Sequence, residues 1–393
     1  MKVLITTPPG LGHVNPLLPL GSALERRRHD VVWATGPNGC RAVREAGMTA
    51  LEAGPAAPPM SRLHELHPDL RSVPAHELPD HVFPKMWGGI AAPWMLRDLL
   101  AITDHFTPDL VVSDAVELAG PVVAARVGAP NVTKSFGALL PERRVAAGAE
   151  VVAPLWRSVG LEPRPYCGCY DHLYLDVYPA GLQPPLPEYV GRAIGLRPPG
   201  AIAAGPAEHD RIEHDVARFL DDVDAPPLVY LTFGTETIFG DPSGLAAVVG
   251  ALTPLDVRLL VTVGPRGDPA AIGEQPPTVH VARYVPQSVV LARASLVVSH
   301  GGSGTTLATL AHGLPHLVLP QGADQFLNAD AVSRAGAGLA LLPAEVTAAA
   351  IGTAAHRLLT DHHFSAAAGR MAAEIAVMPS PDDVADQLES LVC

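Results

Sequence analysis

The chain has 393 residues, 48% of them hydrophobic and 17% charged, with a formal net charge of −13. That length exceeds what one hydrophobic core normally organises, so two globular domains are expected. The acidic balance, with no basic stripe, excludes a nucleic-acid partner, and no apolar run approaches the ~18 residues of a membrane span. Cys40, Cys167, Cys169 and Cys393 are too scattered for a disulfide framework or a metal knuckle. The short run Val3-Leu4-Ile5 is no signal peptide, so a cytoplasmic protein is expected.

The chain opens on a β-rich run, residues 1–7, followed by a Gly/Pro turn at 8–12 and a helical pattern with Leu17, Leu20 and Leu24 on one face. Residues 31–34 and 109–113 read as strands, the second leading into an apolar helix around 116–127. The stretch 55–100 breaks the rhythm with prolines, histidines, Met and Trp. Residues 170–179 alternate as a strand, and a Pro/Gly-rich segment from 197 to 206 supplies the linker. A second series of strands is expected at 228–232, 258–263, 279–281, 295–299 and 316–319, with a last helix at about 382–392. Strands alternating with helices imply an α/β protein with parallel sheets, two doubly wound domains in all. The boundaries expected are 1–200 for the first domain, 201–211 for the linker, 212–378 for the second and 379–393 for a terminal helix.

Four segments carry chemistry. Gly10-Leu11-Gly12-His13-Val14-Asn15-Pro16 occupies a strand-to-helix turn. Asn15 replaces the third glycine of a dinucleotide fingerprint and Thr35 its acidic residue, which disfavours a nicotinamide enzyme. His13 stands at the sheet edge where open α/β folds bind ligands, beside a helix N-terminus that favours a neutral ring. It either lines the turn or accepts a proton. Asp114 closes the strand 109–113 and either caps the next helix or orients His13. His300-Gly301-Gly302-Ser303-Gly304-Thr305-Thr306 follows an apolar strand and offers backbone N–H groups, a histidine and hydroxyls to a diphosphate. Gln321-Gly322-Ala323-Asp324-Gln325 presents donors and acceptors suited to sugar hydroxyls, with an N-cap role for Asp324 as the alternative. Phe83, Trp87, Ile90 and Trp94 recur at near-helical spacing, as core or as pocket wall.

In order and spacing these segments resemble the nucleotide-sugar-dependent natural-product (antibiotic) glycosyltransferases of GT-B fold. The resemblance also covers Tyr284-Val285-Pro286-Gln287 and the strand at 228–232, which adds Gly234 and Thr235. It implies two Rossmann-like domains with the active site in the cleft between them, and a terminal helix crossing back to the first. It also implies an inverting, metal-independent transfer with no resident cofactor. His13 would be the base and Asp114 its support. His300, Gly301, Gly302, Ser303, Gly304 and Thr305 would hold the diphosphate, Tyr284 and Val285 the base, and Asp324 and Gln325 the sugar. Relatives with uridine donors usually carry a ribose-binding glutamate where Ala308 stands, so a dTDP-(deoxy)sugar is the expected co-substrate, with Ala308→Glu expected to move preference toward UDP. The expected acceptor is a lipophilic small molecule bound by residues 55–100, and a homodimer is an open option. A nucleotide-sugar epimerase and a non-catalytic nucleotide-sugar-binding helper are the alternatives. Both fit a His13–Asp114 pair less well than an acceptor base does.

Overall fold

The structure is a computed structural model that describes residues 1–201, 212–222, 226–234, 242–264 and 267–392. The chain divides into two compact units. One comprises Met1–Tyr178, Pro185–Arg197 and Met378–Cys393, the other Pro179–Pro184 and Pro198–Val377. Of the expected linker 201–211, all but residue 201 lies outside the described residues.

The first unit is built on a seven-stranded sheet, β1 (Lys2–Thr6), β2 (Asp30–Thr35), β3 (Thr49–Glu52), β4 (Leu110–Asp114), β5 (Asn131–Lys134), β6 (Leu173–Asp176) and β7 (Ala193–Gly195). Its order is β3-β2-β1-β4-β5-β6-β7, with every pairing parallel. Helices cover a parallel sheet on both faces, so its central strands must be apolar throughout. Accordingly Val3, Leu4, Ile5, Leu110, Val111 and Val112 are all fully buried. The expected strands at the start of the chain, at 31–34 and at 109–113 form, and the one expected at 170–179 forms only over Leu173–Asp176. Strands β3, β5 and β7 were not read from the sequence.

From residue 78 the irregular stretch becomes a nearly continuous helix. Leu78–Val82 is α-helical, Phe83–Ala91 winds as a wider π-helix, and Ala92–Thr103 returns to α-helix. Helix Pro381–Val392 packs on helix Leu18–Arg26 within the same unit, burying Val384, Ala385 and Leu388. At its rim Arg26 meets Asp382 at 2.7 Å, an exposed pair that adds little beside the apolar contact, and the half-buried His29 meets Glu389 at 2.8 Å.

The second unit holds a six-stranded parallel sheet, β8 (Leu228–Thr232), β9 (Arg258–Thr262), β10 (Val279–Ala282), β11 (Leu296–Ser299), β12 (His316–Val318) and β13 (Gly338–Ala340). The order is β10-β9-β8-β11-β12-β13. Each sheet thus reverses its winding once, between β1 and β4 in the first unit and between β8 and β11 in the second. At such switch points the loops leaving two neighbouring strands diverge and open a crevice beyond their carboxyl ends. Among the described residues no helix is long and apolar enough to cross a membrane.

Candidate active site

In the first unit the switch point brings His13 and Asp114 together. His13 lies in the short helix Leu11–Val14 that follows β1, and Asp114 ends β4. His13 Nδ1 is 3.1 Å from Asp114 Oδ1, which also accepts the Val116 backbone N–H at 3.1 Å. A carboxylate oxygen only accepts, so Nδ1 carries the proton in the neutral ring and Nε2 the lone pair. The His13 side chain is 20% exposed and that of Asp114 0%: a reachable imidazole is backed by a buried anion. Asp114 is therefore no simple helix cap. The next helix, Gly120–Val127, begins six residues on and takes its side-chain support from Glu117, which accepts from the Ala119 and Gly120 N–H groups.

Two aromatic rings flank the imidazole edge-on, Phe136 at 5.2 Å and Trp87 at 6.1 Å between centroids. Phe136 follows β5, a strand too polar to announce itself, which is why the sequence reading missed it. The apolar stripe splits. Phe83 and Ile90 are buried core, Trp94 is exposed, and Trp87 alone turns toward His13. Thr7, Pro8, Trp87, Ala91, Met95 and Val116 line an apolar cavity. A larger cavity lies at the amino-terminal edge of the sheet, around Asn131, Arg164 and His172, and contains none of the motif residues.

In the second unit β11 delivers His300 to the other switch point. Gly301 takes φ +84° and Gly302 caps the helix Ser303–Ala311. The His300 ring leaves no room beside it for side chains. A Cβ on Gly234 would lie 2.8 Å from His300 Cε1, and one on Gly302 2.7 Å from Nε2. Gly234, after β8, and Gly302 are therefore glycines by close approach. Burial pushes His300 down to about 4, against the pull of Asp324 and a hydrogen bond with the Thr232 backbone, so the ring is neutral near pH 7.

Asp324 precedes the helix Gln325–Arg334 but makes no cap bond. Its Oδ2 accepts from Ser303 Oγ at 2.6 Å and from Asn328 Nδ2 at 2.8 Å. Asn328, fully buried, also donates to the Gly301 carbonyl at 2.7 Å and ties the two loops together. The sequence reading stopped at Gln325 and did not find it; its signal was a polar residue one helical turn past Asp324, on the same face. Gln325 is buried, its Oε1 accepting from the Gln321 and Gly322 N–H groups. Tyr284 is exposed and Val285 is core, so a base could stack on the first and meet only the backbone of the second. Thr305 Oγ1 accepts from Gln287 Nε2, Gly304 is exposed, and Thr235 lies outside the described residues. Ala308 faces inward, 2% exposed, against the segment Pro199–Ala201, where a Cβ on Gly200 would lie 2.4 Å from the Ala308 Cβ. No group of three or more His, Cys, Asp or Glu able to hold a metal ion occurs among the described residues.

Comparison with known proteins finds the family of this chain. The erythromycin biosynthesis protein CIII-like family matches through its N-terminal domain at residues 22–148 and its C-terminal domain at 246–391. The chain belongs to the natural-product glycosyltransferases.

This glycosyltransferase is matched by curated relatives along nearly its whole length. It is 30% identical to the L-demethylnoviosyl transferase of Streptomyces niveus, over 99% of this chain and 97% of that one. Identity to the elloramycin glycosyltransferase ElmGT of Streptomyces olivaceus is 31%, with the same coverage. Among solved structures, Streptomyces sp. SF2575 SsfS6 complexed with thymidine diphosphate superposes with a TM-score of 0.78 at 26% identity, over 99% of both chains. SnogD from Streptomyces nogalater gives 0.75 at 27% identity, over 100% of this chain and 99% of that one. The expectation of a two-domain GT-B glycosyltransferase is thereby met.

Proposed function

We propose that this enzyme acts in the cytoplasm, moving a deoxysugar from a dTDP-sugar to a hydroxyl of a lipophilic natural product such as a polyketide. The transfer inverts the anomeric centre and uses no divalent cation. The His13–Asp114 hydrogen bond carries the reading, because it directs one imidazole nitrogen outward as a base and backs the ring with an anion. His13 Nε2 takes the acceptor proton as the hydroxyl oxygen attacks the anomeric carbon. The bond from that carbon to the diphosphate breaks on the opposite face, and dTDP leaves with the electron pair. Asp114 stabilises the imidazolium that forms. The diphosphate charge is met by the N–H groups at the start of helix Ser303–Ala311, beside the loop that His300 lines.

A thymidine donor is supported by the thymidine diphosphate in SsfS6. A lipophilic acceptor suits the aromatic side chains Trp87 and Phe136 that flank His13. The test is to incubate the protein with a dTDP-deoxysugar and a panel of aglycones, with and without excess chelator, and to read the product anomer by NMR. An inverted product that survives chelation is expected. A retained anomer, a strict Mg²⁺ requirement, or transfer only to sugars or peptides overturns the proposal.

A further inference from the structure

Lys134 is one of three lysines in the chain and ends β5 with no exposed surface. The β4–β5 register sets it directly opposite Asp114, and residues paired on neighbouring strands project from the same face of a sheet. Two polar atoms here make no hydrogen bond among the described residues, Lys134 Nζ and Asp114 Oδ2, and both are buried. The second carboxylate nearby is already committed: Glu117 accepts from Thr6 Oγ1 at 2.6 Å and from the Ala119 and Gly120 N–H groups at 2.8 Å each. Further titratable groups near the pair among the described residues are His13 on its helix and Tyr174 on β6, with Asp176 and Cys169 beside Tyr174. A buried ammonium without a direct partner destabilises a fold, and an apolar residue of similar length would fill the space without that cost. Its presence calls for a role in the chemistry next to it.

We propose that Lys134 is a positioning residue of the His13–Asp114 pair, drawing Asp114 Oδ2 inward so that Oδ1 meets His13 Nδ1 and opposing proton uptake by the pair. The inference rests on the reading of His13 as the base. A positive charge behind a histidine–carboxylate pair lowers its affinity for a proton whichever member holds it, leaving Nε2 open to the acceptor hydroxyl. Burial pushes Lys134 down to about 8, with Asp114 pulling it back, so it carries its charge near neutral pH and loses it in mild alkali.

The experiment compares the full-length wild type with Lys134→Met. The His13 ring is followed by NMR between about pH 5 and 9, its resonance assigned with His13→Gln, and kcat/KM is measured over the same range. In Lys134→Met the His13 midpoint and the acid limb of kcat/KM are expected to rise together by about one pH unit. KM for the nucleotide sugar should stay unchanged. An unmoved midpoint overturns the proposal. If the midpoint moves but His13→Gln keeps full turnover, the base reading falls and the Lys134 assignment stands. If His13→Gln is inactive and the midpoint is unmoved, only the Lys134 assignment falls. Should the Met variant not fold, wild type with labelled lysine side chains decides. One of three signals is expected to titrate near 8, with a second inflection of the His13 resonance at the same pH. A His13 resonance blind to that step refutes the coupling.

Discussion

Asp114→Asn removes a charge and almost nothing else. The side chain is fully buried, its Oδ1 holds the Val116 N–H at 3.1 Å, and an amide oxygen can keep that bond. What the amide cannot do is stabilise the imidazolium that forms as His13 takes the acceptor proton. Two unit charges ~5 Å apart at an effective dielectric of about 20 interact by about 3 kcal/mol, which is about two decades in rate. The expected result is a loss of about a hundredfold in kcat/KM, measured by initial rates of dTDP-sugar turnover, with KM for the donor unchanged. His13→Ala should lose at least as much, within the ~10²–10⁴ span of a missing general base. Because the two residues act as one unit, the double variant should be no slower than His13→Ala. Wild-type turnover in Asp114→Asn, or a double variant slowed by the product of the two single effects, would refute the pairing.

Four further outcomes follow from the second unit. Asn328→Ala removes the donor that ties the Gly301 carbonyl to Asp324, and should weaken donor nucleotide binding about tenfold by calorimetry; an unchanged Kd refutes the tie. Gly200→Ala places a Cβ 2.4 Å from that of Ala308 and should cost about 1–3 kcal/mol in urea denaturation, partly recovered with Ala308→Gly; strictly additive losses contradict the contact. The same contact implies that Ala308→Glu must displace Pro199–Ala201, so lost stability rather than a shift toward UDP is expected; a stable variant that prefers UDP overturns this. In acid the unit should weaken, because burial holds His300 at about 4 and His316 at about 3, below the 6.5 of a free ring. The unfolded chain then takes up protons first, so stability is lost as pH falls through 6.5 and levels off below about 3, by several kcal/mol in all. A Tm flat between about pH 6 and 4 argues against buried neutral histidines.

The sequence showed the strands that had to be apolar and hid those that did not. β1, β4, β8 and β11 flank the switch points and are buried on both faces, so they read as unbroken Val/Leu/Ile runs. The four strands missed are short. β3, β7 and β13 close the ends of the sheets, where a few pairings to one neighbour replace a hydrophobic run. β5 lies inside the sheet and was missed for another reason. Three of its four residues are polar yet fully or almost fully buried, and Asn131 and Thr133 are satisfied within the sheet, where Ser113 Oγ donates to Asn131 Oδ1 and Asn131 Nδ2 to Thr133 Oγ1. A pattern rule that equates polarity with exposure reads such a segment as loop.

The same contrast explains what could be known of the site. His13 and the 300–306 loop are legible because a turn between a strand and a helix is a local event, written in consecutive residues. The contact of His13 with Asp114 spans 101 positions and cannot be read from spacing. It follows from one topological fact, that β4 returns to the side of β1 not taken by β2, which sets the loops after β1 and β4 around one crevice. The second sheet repeats the solution, with Gly234 after β8 pressed against His300 after β11. In both units, then, the residues with the strongest motifs flank the reversal of strand order, and each is locked by a group from the neighbouring strand's loop. Lys134 obeys the same logic one strand further out. It carries no motif, and only the register opposite Asp114 reveals it. If its charge tunes the pair, the switch point supplies the base while the next strand sets its proton affinity, and neither can be reassigned without the other.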